Sequence, residues 1–253
     1  MRTAIITGAS SGMGVEFVRL LTAAFPDIES VWLIARRRER LEELAAQYCG
    51  GLDVHVLPLD LCDESAFTVL RFELESCKPD VRLLVNNAGC GYLGNVGETE
   101  AGIQTRMTKL NVTALTAMTD AVLPYMGRGA RIINMSSIAS FCPNARMTVY
   151  SSTKAYVSSF SRGLSEEVRA RGIRVTAVCP GPMATEFLEI GGIAGNSKMF
   201  ATLPYCTPEK VAAGAYAAAI AGHTFYTPKL FYKFYRVLAK IIPHSILVKM
   251  AKT

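Results

Sequence analysis

Acidic residues disappear from this chain after Glu209, while seven basic ones follow it: Lys210, Lys229, Lys233, Arg236, Lys240, Lys249 and Lys252. Those seven exceed the net charge of +6 carried by all 253 residues, so the first 209 are close to neutral. That excludes a globally basic nucleic-acid binder and confines the positive excess to the C-terminal tail. Histidine is scarce, with three scattered at 55, 223 and 244, and the seven cysteines (49, 62, 77, 90, 142, 179 and 206) form no CxxC pair. No metal site is therefore expected, nor a disulfide framework; the thiols read as reduced, in a cytoplasmic protein. No apolar run reaches the roughly 18 residues of a membrane span. The opening Ala4-Ile5-Ile6 turns at once into Thr7-Gly8, too short for the core of a signal peptide. Half of the residues are hydrophobic and 19% charged, which suits one well-filled core and excludes wholesale disorder.

Short apolar runs at 3–7, 30–35, 53–58, 83–87, 130–136, 174–180 and 224–226 alternate with amphipathic stretches such as 15–25, 39–48, 65–77 and 154–171. Continuous rather than alternating apolar strands are those covered on both faces. The pattern predicts an α/β fold, a doubly wound parallel sheet of Rossmann type, as a single domain over 1–228 with a helical extension over 229–253. Ligands of such sheets bind outside the carboxyl ends of the strands, which is where the informative residues fall.

After the first strand comes Thr7-Gly8-Ala9-Ser10-Ser11-Gly12-Met13-Gly14. Glycines at 8, 12 and 14 allow a tight turn, close backbone approach to a pyrophosphate and close helix packing, with a helix N-terminus beside it. The spacing is GxxxGxG rather than GxGxxG. The second strand ends in Ala35-Arg36-Arg37-Arg38, where an acid would otherwise hold a ribose hydroxyl. Guanidinium groups there suit a 2′-phosphate, so NADP is expected over NAD, through Arg36 and Arg37; Arg38 and Arg40 read as the solvated start of a helix. Asp60 and the Leu61 backbone, after the third strand, are placed at the adenine, with a plain turn-capping role for Asp60 as the alternative.

Tyr150 and Lys154 stand at i and i+4, on one helical face, and an ammonium there is expected to lower the phenol's pKa from about 10 toward working pH. Ser137 ends the fifth strand thirteen residues upstream, at the same sheet edge, where a hydroxyl can steady charge on a substrate oxygen; Ser136 reads as structural.

This ordered set resembles the short-chain dehydrogenase/reductase family over about residues 1–190. The matching elements are Thr7 to Gly14, Asn86-Asn87-Ala88-Gly89, Asn111, Ile132 to Ser137, Tyr150-xxx-Lys154 and Pro180-Gly181-Pro182-Met183-Ala184-Thr185. The resemblance implies Tyr150 as general acid in reduction and base in oxidation, and Lys154 as the group that tunes it and binds the nicotinamide ribose. It implies Ser137 on the substrate oxygen and Asn111 holding a water that extends the proton relay. Asn87, Ala88 and Gly89 would line the ribose, and Pro180, Gly181, Met183 and Thr185 the nicotinamide. The family's frequent Asp-Gly-Gly ending, which builds a tetramer, is replaced by Thr224-Phe225-Tyr226-Thr227-Pro228, so a homodimer is favoured.

Substrate walls are expected from Phe141, Asn144, Met147 and Phe187, under a mobile lid over 187–205 that also brings Met199 and Phe200. An apolar pocket suits a hydrophobic, steroid-like alcohol or ketone; a 3-oxoacyl thioester reductase and a dinucleotide-sensing protein without turnover are the alternatives. In the tail, Lys229, Lys233, Arg236 and Lys240 form a cationic stripe beside Leu230, Phe231, Phe234, Val237, Leu238 and Ile241, until Pro243. Such a helix either packs over the cleft or a partner subunit, or lies on an anionic membrane surface.

Overall fold

The computed structural model describes residues 1–48, 51–100 and 102–250; Cys49 and the last three residues of the tail, Lys252 among them, lie outside the described residues. The strands are Arg2–Thr7 (β1), Ser30–Ala35 (β2), Asp53–Pro58 (β3), Asp80–Asn86 (β4), Arg131–Met135 (β5), Arg174–Val178 (β6) and Phe225–Tyr226 (β7). They form one parallel sheet in the order β3-β2-β1-β4-β5-β6-β7. In chain order the helices are Met13–Arg19 (α1), Leu21–Ala24 (α2), Arg38–Ala46 (α3), Glu64–Cys77 (α4), Ile103–Thr108 (α5), Leu115–Val122 (α6) and Thr148–Glu167 (α7). Beyond the sixth strand come Glu186–Ile190 (α8), Lys198–Thr202 (α9), Pro208–Ile220 (α10), Leu230–Ile241 (α11) and His244–Met250 (α12).

Successive strand residues point to opposite faces. Ala4, Ile6, Val31 and Leu33 enter a layer filled by Phe17, Leu41, Leu44, Ala212 and Tyr216. Ile5, Trp32 and Ile34 enter the other, with Phe67, Leu70, Leu74, Met118 and Leu164. Burial on both sides is why these strands read as unbroken apolar runs. The connection reverses between β1 and β4, leaving their carboxyl ends side by side and open.

The pattern over 15–25 is not one helix: it breaks at Leu20 into α1 and α2. α7 begins earlier than its apolar pattern, at Thr148. α10 escaped the periodicity because it is alanine-rich all round, which lets it sit close on the sheet with Ala212, Ala215 and Ala219 fully buried. Among the described residues the cysteines form no disulfide.

α10 is tied to α1 by the buried Tyr216 hydroxyl, which donates to the Phe17 carbonyl at 2.6 Å. Tyr216→Phe removes that donor while keeping the ring's contacts with Phe17 and Phe25. The expected loss is about 1–3 kcal/mol of unfolding free energy, read as a lower urea midpoint at unchanged slope; an unmoved midpoint would show that this bond contributes nothing.

Candidate active site

The open crevice between β1 and β4 is closed underneath by hydrogen bonds. The Asn87 side-chain amide donates to the carbonyls of Thr7 (3.0 Å) and Gly8 (3.2 Å), while the Thr7 hydroxyl accepts from the backbone N–H of Asn87 and Ala88, both at 3.0 Å. Gly8 has φ of 66°, and a Cβ there would fall 2.8 Å from the Asn87 amide nitrogen. At Gly14 a Cβ would lie 2.1 Å from the Gly8 carbonyl oxygen, so this glycine serves the packing of α1 rather than the crevice. Above this floor lies a cavity of about 330 Å³. It runs from Gly8, Ser10, Ser11, Gly12 and Met13, past Arg36, Arg37, Asp60 and Leu61, to Ser137, Tyr150 and Lys154. Asn87, Ala88, Gly89, Pro180, Gly181, Met183 and Thr185 also line it. Most of the site residues expected from separate stretches of sequence therefore share one hollow.

At the reacting end β5 and α7 grip each other. Lys154 Nζ donates to the Met135 carbonyl at 2.8 Å, and the Ser136 hydroxyl donates to the Lys154 carbonyl at 2.9 Å, so Ser136 is committed to structure. The Ser137 hydroxyl accepts from Ala139 N–H at 3.1 Å and lies beside the Tyr150 phenol on the wall of the cavity. Gly89 and Gly91 make room here: a Cβ on Gly89 would meet Lys154 Nζ at 3.3 Å, and one on Gly91 would meet the rings of Phe187 at 2.5 Å and Tyr150 at 2.8 Å.

Burial reverses the expected tuning of the phenol. It pushes Tyr150 up to about 12, with the neighbouring Ser137 hydroxyl pulling the other way, and it pushes Lys154 down to about 8. The ammonium is 5.8 Å from the centre of the Tyr150 ring and is spent on the Met135 carbonyl, so here desolvation outweighs any lowering of the phenol by the lysine.

Asn111 lies in a π-helical turn, Lys109–Ala114, and does not line the cavity. Its amide donates to the Cys90 carbonyl (2.8 Å) and Thr153 hydroxyl (3.0 Å) and accepts from Cys90 N–H (2.9 Å). These bonds clamp the glycine-bordered loop to α7. Beneath it a second polar ladder escaped the sequence reading. The Asn86 amide donates to Asn134 (2.9 Å) and Thr119 (3.0 Å), and the Asn134 amide to Ser161 (3.0 Å). Hydrogen-bonding side chains one element apart leave no mark in a hydropathy pattern.

At the nucleotide end Arg36 is exposed and makes no hydrogen bond or ion pair among the described residues. Arg37 is shared: it donates to the Ser10 hydroxyl at 3.2–3.3 Å and pairs with Glu186 at 2.9 Å. Arg40, expected in solvent, pairs with the same carboxylate at 2.5 Å, because α8 starts directly across the crevice mouth from α3. Both guanidiniums, Arg40 first, hold Glu186 below the usual carboxylate range. Both oxygens of Asp60 are engaged, one by the N–H of Cys62 (3.0 Å) and one by Arg106 (2.9 Å). Burial alone would raise its pKa, but those two partners and the nearby Arg36 bring it down. The turn-capping alternative thus describes its contacts, although it still lines the cavity. Arg106 and Glu186 were not foreseen, since neither belongs to a recognisable motif.

Two expected substrate residues are displaced. Phe141 lies 6.0 Å from Tyr235, ring to ring, in a small cluster under α11, and Met147 is buried core at the start of α7. Asn144 and Phe187 do line the cavity, and Phe187 stands 5.6 Å from the Tyr150 ring. Further apolar wall comes from Tyr92, Ala139, Leu188, Ile190, Met199, Phe200 and Leu203, largely from the stretch expected as a lid. Away from the cavity, the fold brings His55, Glu73 and Cys77 together, with ligand atoms within 4.8 Å of one another, a grouping that their separation in sequence conceals.

The family model described as short chain dehydrogenase matches residues 2–190. The chain belongs to the short-chain dehydrogenase family. It is an oxidoreductase. Among curated relatives of this dehydrogenase, sulfoacetaldehyde reductase 2 of Chromohalobacter salexigens is 37% identical over 188 residues, covering 72% of this chain and 73% of that protein. The very-long-chain 3-oxoacyl-CoA reductase of Anas platyrhynchos is 32% identical over 197 residues, or 74% of this chain and 61% of that one. A solved short-chain dehydrogenase from Sphingobium yanoikuyae in complex with NADPH superposes with a TM-score of 0.79 at 28% identity, covering 96% of this chain and 97% of that one. The bulky-bulky ketone specific alcohol dehydrogenase from Comamonas testosteroni gives a TM-score of 0.75 at 25% identity, over 96% and 95% of the two chains.

The depressed lysine has a signature in stability. In the folded dehydrogenase Lys154 releases its proton near pH 8, whereas in the unfolded chain it keeps it to about 10.5. Between those values the unfolded state binds more protons, so raising the pH stabilises the fold. Tyr150 acts oppositely above pH 10, where the exposed phenol ionises and the buried one does not. Between about pH 8 and 10 the parent should therefore gain unfolding free energy relative to Lys154→Met; parallel profiles in urea would show that Lys154 is not depressed.

Proposed function

We propose that this dehydrogenase interconverts a secondary alcohol and a ketone on a hydrophobic substrate, using NADP. The observation that carries the reading is that the Tyr150 phenol and Ser137 share a cavity whose substrate wall is apolar: Phe187, Leu188, Met199, Phe200 and Leu203. The residues present suit a dinucleotide, because the glycine turn offers backbone close to the cavity where a side chain at Gly8 would collide. The unpartnered Arg36 at one end, with Arg37 beside it, suits a 2′-phosphate. The NADPH complex of the Sphingobium neighbour supports the same choice.

When bound, NADPH supplies the hydride. The chain's own residues do the rest. Tyr150, its proton held by burial, is the general acid toward the developing alkoxide, and it is the base in the reverse direction. Ser137 donates to the same oxygen. Lys154 holds the end of β5 at its present distance from the phenol and returns the proton through its own depressed ammonium. Asn111 positions the Cys90 loop and α7. Leu188, Met199 and Phe200 exclude water from the reacting end.

A steroid-like or other bulky ketone fits such a wall, and the bulky-ketone dehydrogenase neighbour supports it. A 3-oxoacyl thioester is the second reading, favoured by the very-long-chain 3-oxoacyl-CoA reductase relative and the basic tail. The small anionic substrate named for the sulfoacetaldehyde reductase suits the apolar wall less well. A catalytic unit of residues 1–228 with an extension over 229–253, acting as a cytoplasmic homodimer, belongs to the same proposal.

Three outcomes are expected. Tyr150→Phe should lower NADPH oxidation at least about 100-fold while leaving NADPH affinity, followed by nucleotide fluorescence, nearly unchanged; near-normal turnover would remove the acid role. Arg36→Asp should raise the KM for NADPH about tenfold or more and leave that for NADH nearly alone, whereas equal effects would place the 2′-phosphate elsewhere. In a panel of steroid, 3-oxoacyl-CoA and small aromatic ketones, the bulky apolar members should show the highest kcat/KM; preference for small anionic carbonyls would overturn the substrate class.

A further inference from the structure

Leu230, Phe234, Val237 and Ile241 recur along α11 at spacings of four, three and four, on one face of the helix, and they are 81%, 66%, 56% and 74% exposed. The opposite side is anchored. Tyr232 is fully buried and donates its hydroxyl to the Pro204 carbonyl at 2.7 Å, and Ala239 is buried one stripe along with it. The helix is therefore firmly seated on the protein and still turns its most apolar stripe outward, against the usual arrangement of a surface helix.

Lys229, Lys233 and Lys240 run along one border of that stripe, all exposed. Arg236, nearer the body, lies over the Phe225 ring at 4.4 Å. No Asp or Glu follows Glu209, so the face carries apolar bulk and positive charge with no acidic side chain of its own region to answer it. A second copy of this chain docked face to face would bring the same lysines and the same lack of acids. An anionic bilayer supplies both missing partners, hydrocarbon for the stripe and phosphate for the lysines. Among the described residues no helix is long and apolar enough to cross a membrane, so contact of this kind lies in the plane of the surface.

We infer that α11 is a membrane-docking helix that seats Leu230, Phe234, Val237 and Ile241 among the acyl chains of an anionic bilayer, with Lys229, Lys233 and Lys240 at the headgroups. The docked element touches the catalytic hollow from behind: a Cβ on Gly181, which lines the cavity, would lie 2.3 Å from the Tyr232 ring. The inference stands independently of the reaction proposed above, because it uses none of the cavity's side chains.

The test is co-sedimentation of the full chain with vesicles of phosphatidylcholine alone and of phosphatidylcholine mixed with phosphatidylglycerol. Pelleting with the anionic vesicles and little with the neutral ones is expected, falling about fivefold for each lysine in Lys229→Gln and Lys233→Gln. The double variant Phe234→Asp, Ile241→Asp should lose at least about tenfold in partition while keeping the parent's melting temperature and NADPH affinity. Should that variant fail to fold, the lysine variants, which leave the apolar stripe intact, still decide. A parent chain that stays in the supernatant overturns the inference, as does partition indifferent to the lysines. A dimer in sedimentation velocity that the double variant splits would assign the face to a second copy instead, and also overturns it.

Discussion

The reciprocal clasp between β5 and α7 is the contact on which the site depends. The Lys154 side chain of α7 bonds to the Met135 backbone at the end of β5, and the side chain of Ser136, the next residue, bonds to the Lys154 backbone. This fixes the height of α7 against the sheet edge and, with it, the position of Tyr150 relative to Ser137. Neither bond reaches the cavity's substrate wall, yet without them the phenol and the serine hydroxyl would belong to two independently moving elements. The Asn111 clamp adds a third attachment, from the Cys90 loop, so that the acid is held from the strand, from its own helix and from the loop across the crevice.

Holding these groups so tightly costs them solvent, and the electrostatics follow. Both the phenol and the ammonium are driven toward their neutral forms, the one upward and the other downward in pKa. A neutral phenol is a proton donor by default, which suits the reductive direction, and a lysine close to neutrality can exchange protons with either neighbour. The nucleotide end is ordered differently. There the charges are paired on the surface, with Glu186 bridging Arg37 and Arg40 and so linking the start of α8 to the segment after β2 that is read for the 2′-phosphate.

Much of this was legible in the residues alone. The seven strands and the sharing of one sheet edge by the glycine turn, Ser137, Tyr150 and Lys154 follow from apolar runs and motif order, because a parallel sheet delivers every strand's carboxyl end to one side. What was not legible depended on tertiary neighbours. Phe141 and Met147 are apolar in a stretch close to the site, and nothing local separates a residue facing a cavity from one facing a tail helix or the core. The alanine-rich α10 carries no period, and the partners of Asp60 and Arg40 come from elements 46 and 146 residues away. The phenol's direction of shift was missed for a related reason: helical spacing says which groups are near, whereas burial, which decided the sign, belongs to the whole fold.

The amides of Asn86 and Asn134 face each other across β4 and β5, in register, within a predominantly hydrophobic layer. Because side chains alternate along a strand, sliding either strand by a single position would turn its amide to the opposite layer and strand both in hydrocarbon. Strands of aliphatic residues alone could pair almost equally well in several offsets. The ladder thus works as an alignment key: it makes one offset of the central sheet much cheaper than its neighbours, and so guarantees that the glycine turn and the catalytic helix arrive at the same level when the chain folds.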